Sequence, residues 1–181
     1  HVISKITPYV RILSKIRHYL DKDSLMKIYY SHINSHLTYC LPVWQNVSQD
    51  LKSLIQRIQN KAIKFINFLP RLTPTKSLYN EKFLKFSHHI TYENILFIHK
   101  IKSGLLRCDL HLINNFQVTN RSTRQSNLLR LPNFTNSKAK SSIFYIGIAE
   151  YNRFTNYLTS KNIKLDLSLG KFKIELKKFI F

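Results

Sequence analysis

Acidic residues are scarce in this chain. Nine Asp and Glu stand against 29 Lys and Arg, giving a formal net charge of +20 over 181 residues. Chemistry that needs clustered carboxylates is therefore hard to place. Two-metal polymerase catalysis needs acids close enough to clamp two Mg²⁺ ions. The nearest local pair, Asp21 and Asp23, falls in a turn ahead of a helical pattern, where capping accounts for it. Glycine is scarce as well. Three glycines far apart cannot build a phosphate-cradling loop, and with only five prolines the chain is too poor in turn residues for a β-sandwich. Two cysteines, Cys40 and Cys108, make no disulfide framework and suit a reducing compartment. No long uninterrupted apolar run is present, so no spanning helix and no membrane partner are expected. The opening "HVISKITPYV" has neither an initiator Met nor a signal-peptide core, and reads as part of a longer protein.

What the chain does contain is apolar and basic. Hydrophobic residues make up 44% of it, too many for wholesale disorder. The positive surplus says nothing about fold, but it predicts attraction to polyanions.

The apolar residues recur at helical spacing. Val2, Ile6, Val10, Leu13, Ile16 and Leu20 predict an amphipathic helix over 2–20, with Pro8 in its first turn or at a kink. Asp23 or Ser24 then serves as N-cap of a second helix over 24–41, carrying Leu25, Tyr29, Ile33, Leu37 and Cys40 or Leu41. Pro42 ends or bends it. Leu51, Leu54, Ile55, Ile58, Ala62, Phe65, Ile66 and Leu69 mark a third helix, closed by "LPRLTPT". A fourth covers 87–103, with Gly104 as its C′ stop. Periodicity fades over 105–140, where "NNFQVTNRSTRQSN" reads as an irregular polar arm. Helices over 142–157 and 168–181 close the chain, the last weakened by Gly170. The fold class is mainly α: a helical bundle over 1–104, an irregular polar arm over 105–140 and a C-terminal helical tail over 141–181. In "SHLTYCLPVWQN", residues Leu37, Cys40, Leu41, Val43 and Trp44 are expected to form the seam between the second and third helices. A base stacked on Trp44 or Tyr39 is the alternative reading.

Candidate chemistry is thin. Cys108 and His111 have C-x-x-H spacing and His88 and His89 are adjacent, but zinc usually takes two closely spaced pairs. Cys40 has His36 one helical turn before it, yet it continues an apolar stripe and packs better than it reacts. No catalytic residue and no metal ligand emerges. Binding remains. Arg57, Lys61 and Lys64 share a stripe on the third helix, and Arg121, Arg124 and Arg130 lie in the arm among Asn and Ser donors. Contact with about six phosphates would make log K fall with log salt at a slope near −5.

The order of several segments adds to this. "LDKDSLMKIYYSHINSHLTYCLPVWQN" followed by "LKSLIQRIQNKAIKFI" resembles the region just downstream of the catalytic palm in non-LTR (LINE-type) retrotransposon reverse transcriptases. There a helix with a Tyr-Tyr pair leads to "LTY" plus Gly or Cys, then "VW", then a helix whose core is similar to "QNKAIK", Gln59 to Lys64. "NRSTRQSNLLRLP", "KSSIFYIGIAEYN" and "SLGKFKIELKKFIF" resemble later blocks of the same family in the same order, and together they cover nearly the whole chain. Ile148 stands where that family usually has Pro, Tyr151 where it has Trp, and Gln45-Asn46 where a Gly follows the Trp. The resemblance implies a thumb and tail of an RNA-directed DNA polymerase encoded by a transposable element. It implies RNA or an RNA–DNA duplex as partner, and the palm portion of the same polymerase as a second partner. Mg²⁺ and its paired aspartates would belong to that palm, so this chain would carry no cofactor and take no small-molecule substrate. Arg57, Lys61, Lys64, Arg121 and Arg124 would contact nucleic-acid backbone. A helical module that docks on protein, or an inactive transposon relic, is the alternative. An intracellular location, cytoplasmic or nuclear, goes with either.

Overall fold

The computed structural model describes residues 1–79, 82–107, 128–164 and 167–180. The chain is mainly α, as its periodicity requires, and no strand occurs among the described residues. Packing divides it into two units, His1–His89 and Ile90–Phe181. The first expected boundary, at 104, falls inside the second of these units.

In the first unit α1 (Val2–Ile16) buries Ile6, Val10 and Leu13. Pro8 lies inside α1, past the first turn, where it leaves one carbonyl of the ladder without its usual donor. The second pattern starts earlier than expected, because Asp21, not Asp23 or Ser24, is the cap. Its backbone is extended, and its Oδ2 accepts the N–H groups of Asp23 at 3.0 Å and Ser24 at 3.2 Å. From there α2 (Lys22–Ile28) runs into a π-helical segment (Tyr29–Asn34) and on into α3 (Ser35–Thr38). This segment answers a geometric problem. A stripe spaced strictly by four drifts by about 40° a step around a 3.6-residue helix. The wider π turn takes up the drift, so Leu25, Tyr29, Ile33 and Leu37 all stay buried.

Past Thr38 the backbone reverses at Cys40, which adopts left-handed φ 49 and ψ 27, and α4 (Leu41–Trp44) begins with Pro42 in its first turn. The expected seam is only half right. Leu37 and Leu41 are fully buried, but Cys40 is exposed and Val43 is 79% exposed. The reversal at Cys40 breaks the stripe and turns both outward. Trp44 stacks on Phe86, centroids 5.7 Å apart, and donates its indole N–H to the Tyr39 carbonyl at 2.8 Å. The chain then enters α5 (Gln49–Ile66), capped by Ser48, which buries Ile55, Gln59, Ala62, Ile63 and Ile66. α1 and α5 pack on one another, and a 3₁₀ turn (Thr75–Leu78) follows.

A polar network fixes how α5 sits. Gln59 is fully buried. Its amide donates to the Tyr29 hydroxyl at 3.0 Å and the Leu84 carbonyl at 2.8 Å, and its oxygen accepts from Gln56 at 3.1 Å. Gln56 also donates to Asn60 at 3.0 Å and to the Tyr79 hydroxyl, and its oxygen accepts the Phe86 backbone N–H at 3.0 Å. Burial pushes the Tyr29 and Tyr79 phenols well above their ordinary range, which keeps both neutral.

The second unit packs the Ile90–Lys102 part of α6 (Phe86–Lys102), α8 (Ile143–Ser160) and α9 (Leu169–Ile180), with a short α7 (Ser137–Lys140) between the first two. Its core holds Ile95, Ile98, Phe154, Leu158, Phe172 and Leu176. Ile148 and Tyr151 are also core residues here. Gly104 closes α6 at φ +70, the expected C′ stop. Asn152 pins the 128–136 segment by pairing with both backbone groups of Leu129, at 2.9 and 2.8 Å.

Candidate nucleic-acid interface

Arg57, Lys61 and Lys64 stand at steps of four and three along α5 and so share one face. That face borders a cleft of about 650 Å³ in the first unit, lined also by Arg17, Phe65, Arg71 and Pro70. The helix end builds one wall. After Ile66 the Asn67 side chain donates to the Ile63 carbonyl at 3.1 Å, and Phe68 takes left-handed φ 54. This lets the Leu69 N–H reach the Lys64 carbonyl at 2.9 Å. Thr73 then closes a tight turn on the Pro70 carbonyl with both its N–H (3.1 Å) and its hydroxyl (2.8 Å). The Lys64 ammonium donates to the Arg71 carbonyl at 2.7 Å and ties this turn to α5. At the opposite side the Arg17 guanidinium lies over the Phe65 ring, 5.4 Å from its centroid, and donates to His18 Nε2 at 3.2 Å.

The cleft therefore joins five cationic side chains to a partly apolar floor. Among the described residues the only ion pair joining two of them is Lys178–Glu175, far along the chain on α9. The carboxylates of residues 1–79 sit elsewhere. Asp21 caps α2, Asp23 is in its first turn, and Asp50 is in the first turn of α5, each at the positive end of a helix. Arg57, Lys61 and Lys64 occupy the other half of α5.

Three of the five cleft cations, Arg57, Lys61 and Lys64, are visible in the sequence as one helical stripe. Arg17 and Arg71 were missed as partners because they flank the cleft from the end of α1 and from the loop, and no local spacing links them to α5. Arg121 and Arg124 lie outside the described residues, as do Cys108 and His111.

The Asp21 carboxylate is committed to its cap. Asp21 Oδ2 is engaged by two backbone N–H groups, and its hydrogen bonds with Ser24 hold the carboxyl below the usual range. No group of three His, Cys, Asp or Glu side chains able to hold a metal ion occurs among the described residues. His89 is buried, and desolvation, aided by neighbouring His88, pulls its imidazole down to about 4. Among the described residues no helix is long and apolar enough to cross a membrane.

No protein-family model, curated protein or solved structure matches the chain.

Proposed function

We propose that this chain is a non-catalytic thumb and tail portion of a non-LTR-type reverse transcriptase, holding RNA or an RNA–DNA duplex by its phosphates. One observation carries the proposal: Arg57, Lys61 and Lys64 converge with Arg17 and Arg71 on one cleft with no carboxylate paired to them among the described residues. Five such cations raise the local concentration of a polyanion and release its counterions when it docks. The ordered run of segments that resemble the post-palm region supports the polymerase assignment. The bond-making aspartates and their Mg²⁺ are assigned to a palm portion, which is then the protein partner. In that role the chain positions the nucleic acid and makes or breaks no bond.

Filter binding of the full chain to an RNA–DNA duplex across a salt series tests this. Five backbone contacts give a log–log slope of about −4.5. Changing Arg57, Lys61 and Lys64 together to Glu should abolish binding at moderate salt while far-UV circular dichroism stays unchanged. Undiminished binding by the folded triple variant would overturn the site. Nucleotide incorporation by the purified chain would overturn the non-catalytic assignment.

A further inference from the structure

We infer that the cleft itself takes an unpaired strand in preference to a duplex. The inference rests on the proposed backbone-binding function and names what occupies its site. Three features of the cleft lead to it.

The first is size and shape. At about 650 Å³ the cleft has the dimensions of a small-ligand site, typically about 300–1,000 Å³. A duplex is a wide convex cylinder that presents phosphates to a ridge or a broad channel. It meets the cations around a recess from outside, and so less closely than a strand that enters it. A single strand of one or two nucleotides fits.

The second is composition. Phe65, Leu69 and Pro70 line the cleft along with the cations. A site that reads only phosphates has no use for apolar lining, whereas unpaired bases present flat faces that need cover. Single-strand sites combine a basic track with stacking surfaces.

The third is that one stacking surface is already arranged. The Arg17 guanidinium is backed by the Phe65 ring and held by His18. Guanidinium planes stack unpaired bases in RNA recognition. Two residues further on, Tyr19 is 86% exposed, and beside Arg71 stands Leu72, 93% exposed. Both follow a cleft cation closely in the chain, and exposed side chains of that size offer cover to flanking bases.

The strand crosses the cleft with its phosphates on Arg57, Lys61 and Arg71. One base lies on Arg17, and the next has Tyr19 within the same turn of chain.

Fluorescence anisotropy of the full chain separates the outcomes. The probes are a labelled 12-nucleotide oligouridylate and a blunt RNA–DNA duplex of equal length. The single strand should bind at least tenfold more tightly, with a salt slope of about −2, from three phosphate contacts at about 0.7 each. Arg17→Lys keeps the charge and removes the stacking plane. It and Tyr19→Ser should each weaken the single strand at least fivefold and leave duplex binding within twofold. Equal or tighter duplex binding, or equal loss on both probes in those variants, overturns the inference and leaves the proposed function standing. Failure of both probes to bind overturns the proposed function itself.

Discussion

Replacing Gln59 with Leu tests the feature that sets the rotation of α5, and so the direction in which Arg57, Lys61 and Lys64 face. The side chain is fully buried and makes three hydrogen bonds, to Tyr29, Leu84 and Gln56. Leucine has nearly the same volume but offers none of them. The Leu84 carbonyl then loses its side-chain donor, which costs about 1–3 kcal/mol in a buried setting. Tyr29 and Gln56 each lose one of their bonds, worth about 1 kcal/mol net apiece. Gln56 retains Asn60 and Tyr79, so its share is the smaller. The expected destabilisation is about 2–4 kcal/mol, a large part of the stability of a small unit. Urea titration followed by Trp44 fluorescence reads it, because Trp44 stacks on Phe86 within the same unit. The double variant with Tyr29→Phe should fall short of additivity by about 0.5–1.5 kcal/mol, because the two residues share a bond. An unchanged midpoint for Gln59→Leu, or strict additivity in the cycle, would refute the idea that this network holds α5 in place.

Two further outcomes follow from the same structure. Gly170 in α9 has open space where a Cβ would stand, so Gly170→Ala should stabilise the second unit by about 0.5–1 kcal/mol, measured as a rise in thermal midpoint by circular dichroism. The first unit should weaken on acidification from about pH 6.5 to pH 4, by up to about 3 kcal/mol. There His89 is protonated when unfolded and neutral when folded, its imidazole held at about 4, so the unfolded state binds the extra proton. His89→Gln should flatten the Trp44-detected stability profile over that interval, and an unaltered profile would exclude His89 as its source. Glu150, which burial pushes upward on the second unit, acts with the opposite sign, its contribution being lost as pH rises.

The helices were legible because apolar spacing is a local property, and α1, α5, α6, α8 and α9 fall close to the expected ranges. The features that shape the site were less so. The π-helical turn after Ile28 leaves no composition signal; it shows only as a four-residue spacing too regular for a 3.6-residue helix. Cys40 continues an apolar stripe by count, yet it sits in left-handed backbone at φ 49, which favours glycine. The hydrophobic pattern of the third helix made no use of Gln59, a polar residue whose burial depends on partners 25 and 30 positions away. The cleft was half legible. The α5 stripe could be read from spacing, whereas Arg17 and Arg71 reach it only through the packing of α1 on α5 and the tight turn after Phe68.

The scarcity of acid takes on a structural meaning once each described carboxylate is located. Asp21, Asp23 and Asp50 stand at helix N-termini. Glu150 is half-buried and held by Thr91 and Asn94 at 2.9 and 2.8 Å, Glu93 is pushed upward by burial, and Glu175 pairs with Lys178. All six are thus engaged in building helices or lie partly within the fold, and none of the three in the first unit is paired with a cleft cation. Salt should therefore act on this chain in two directions. It screens the mutual repulsion of a +20 protein and favours the folded state, while it weakens the docking of any polyanion. A chain whose charge served only solubility would gain from a modest surplus spread evenly over its surface. Concentrating five cations around one recess, with the available carboxylates held at helix ends and in the second unit, raises repulsion at a single place and is relieved most directly when an anionic strand fills it.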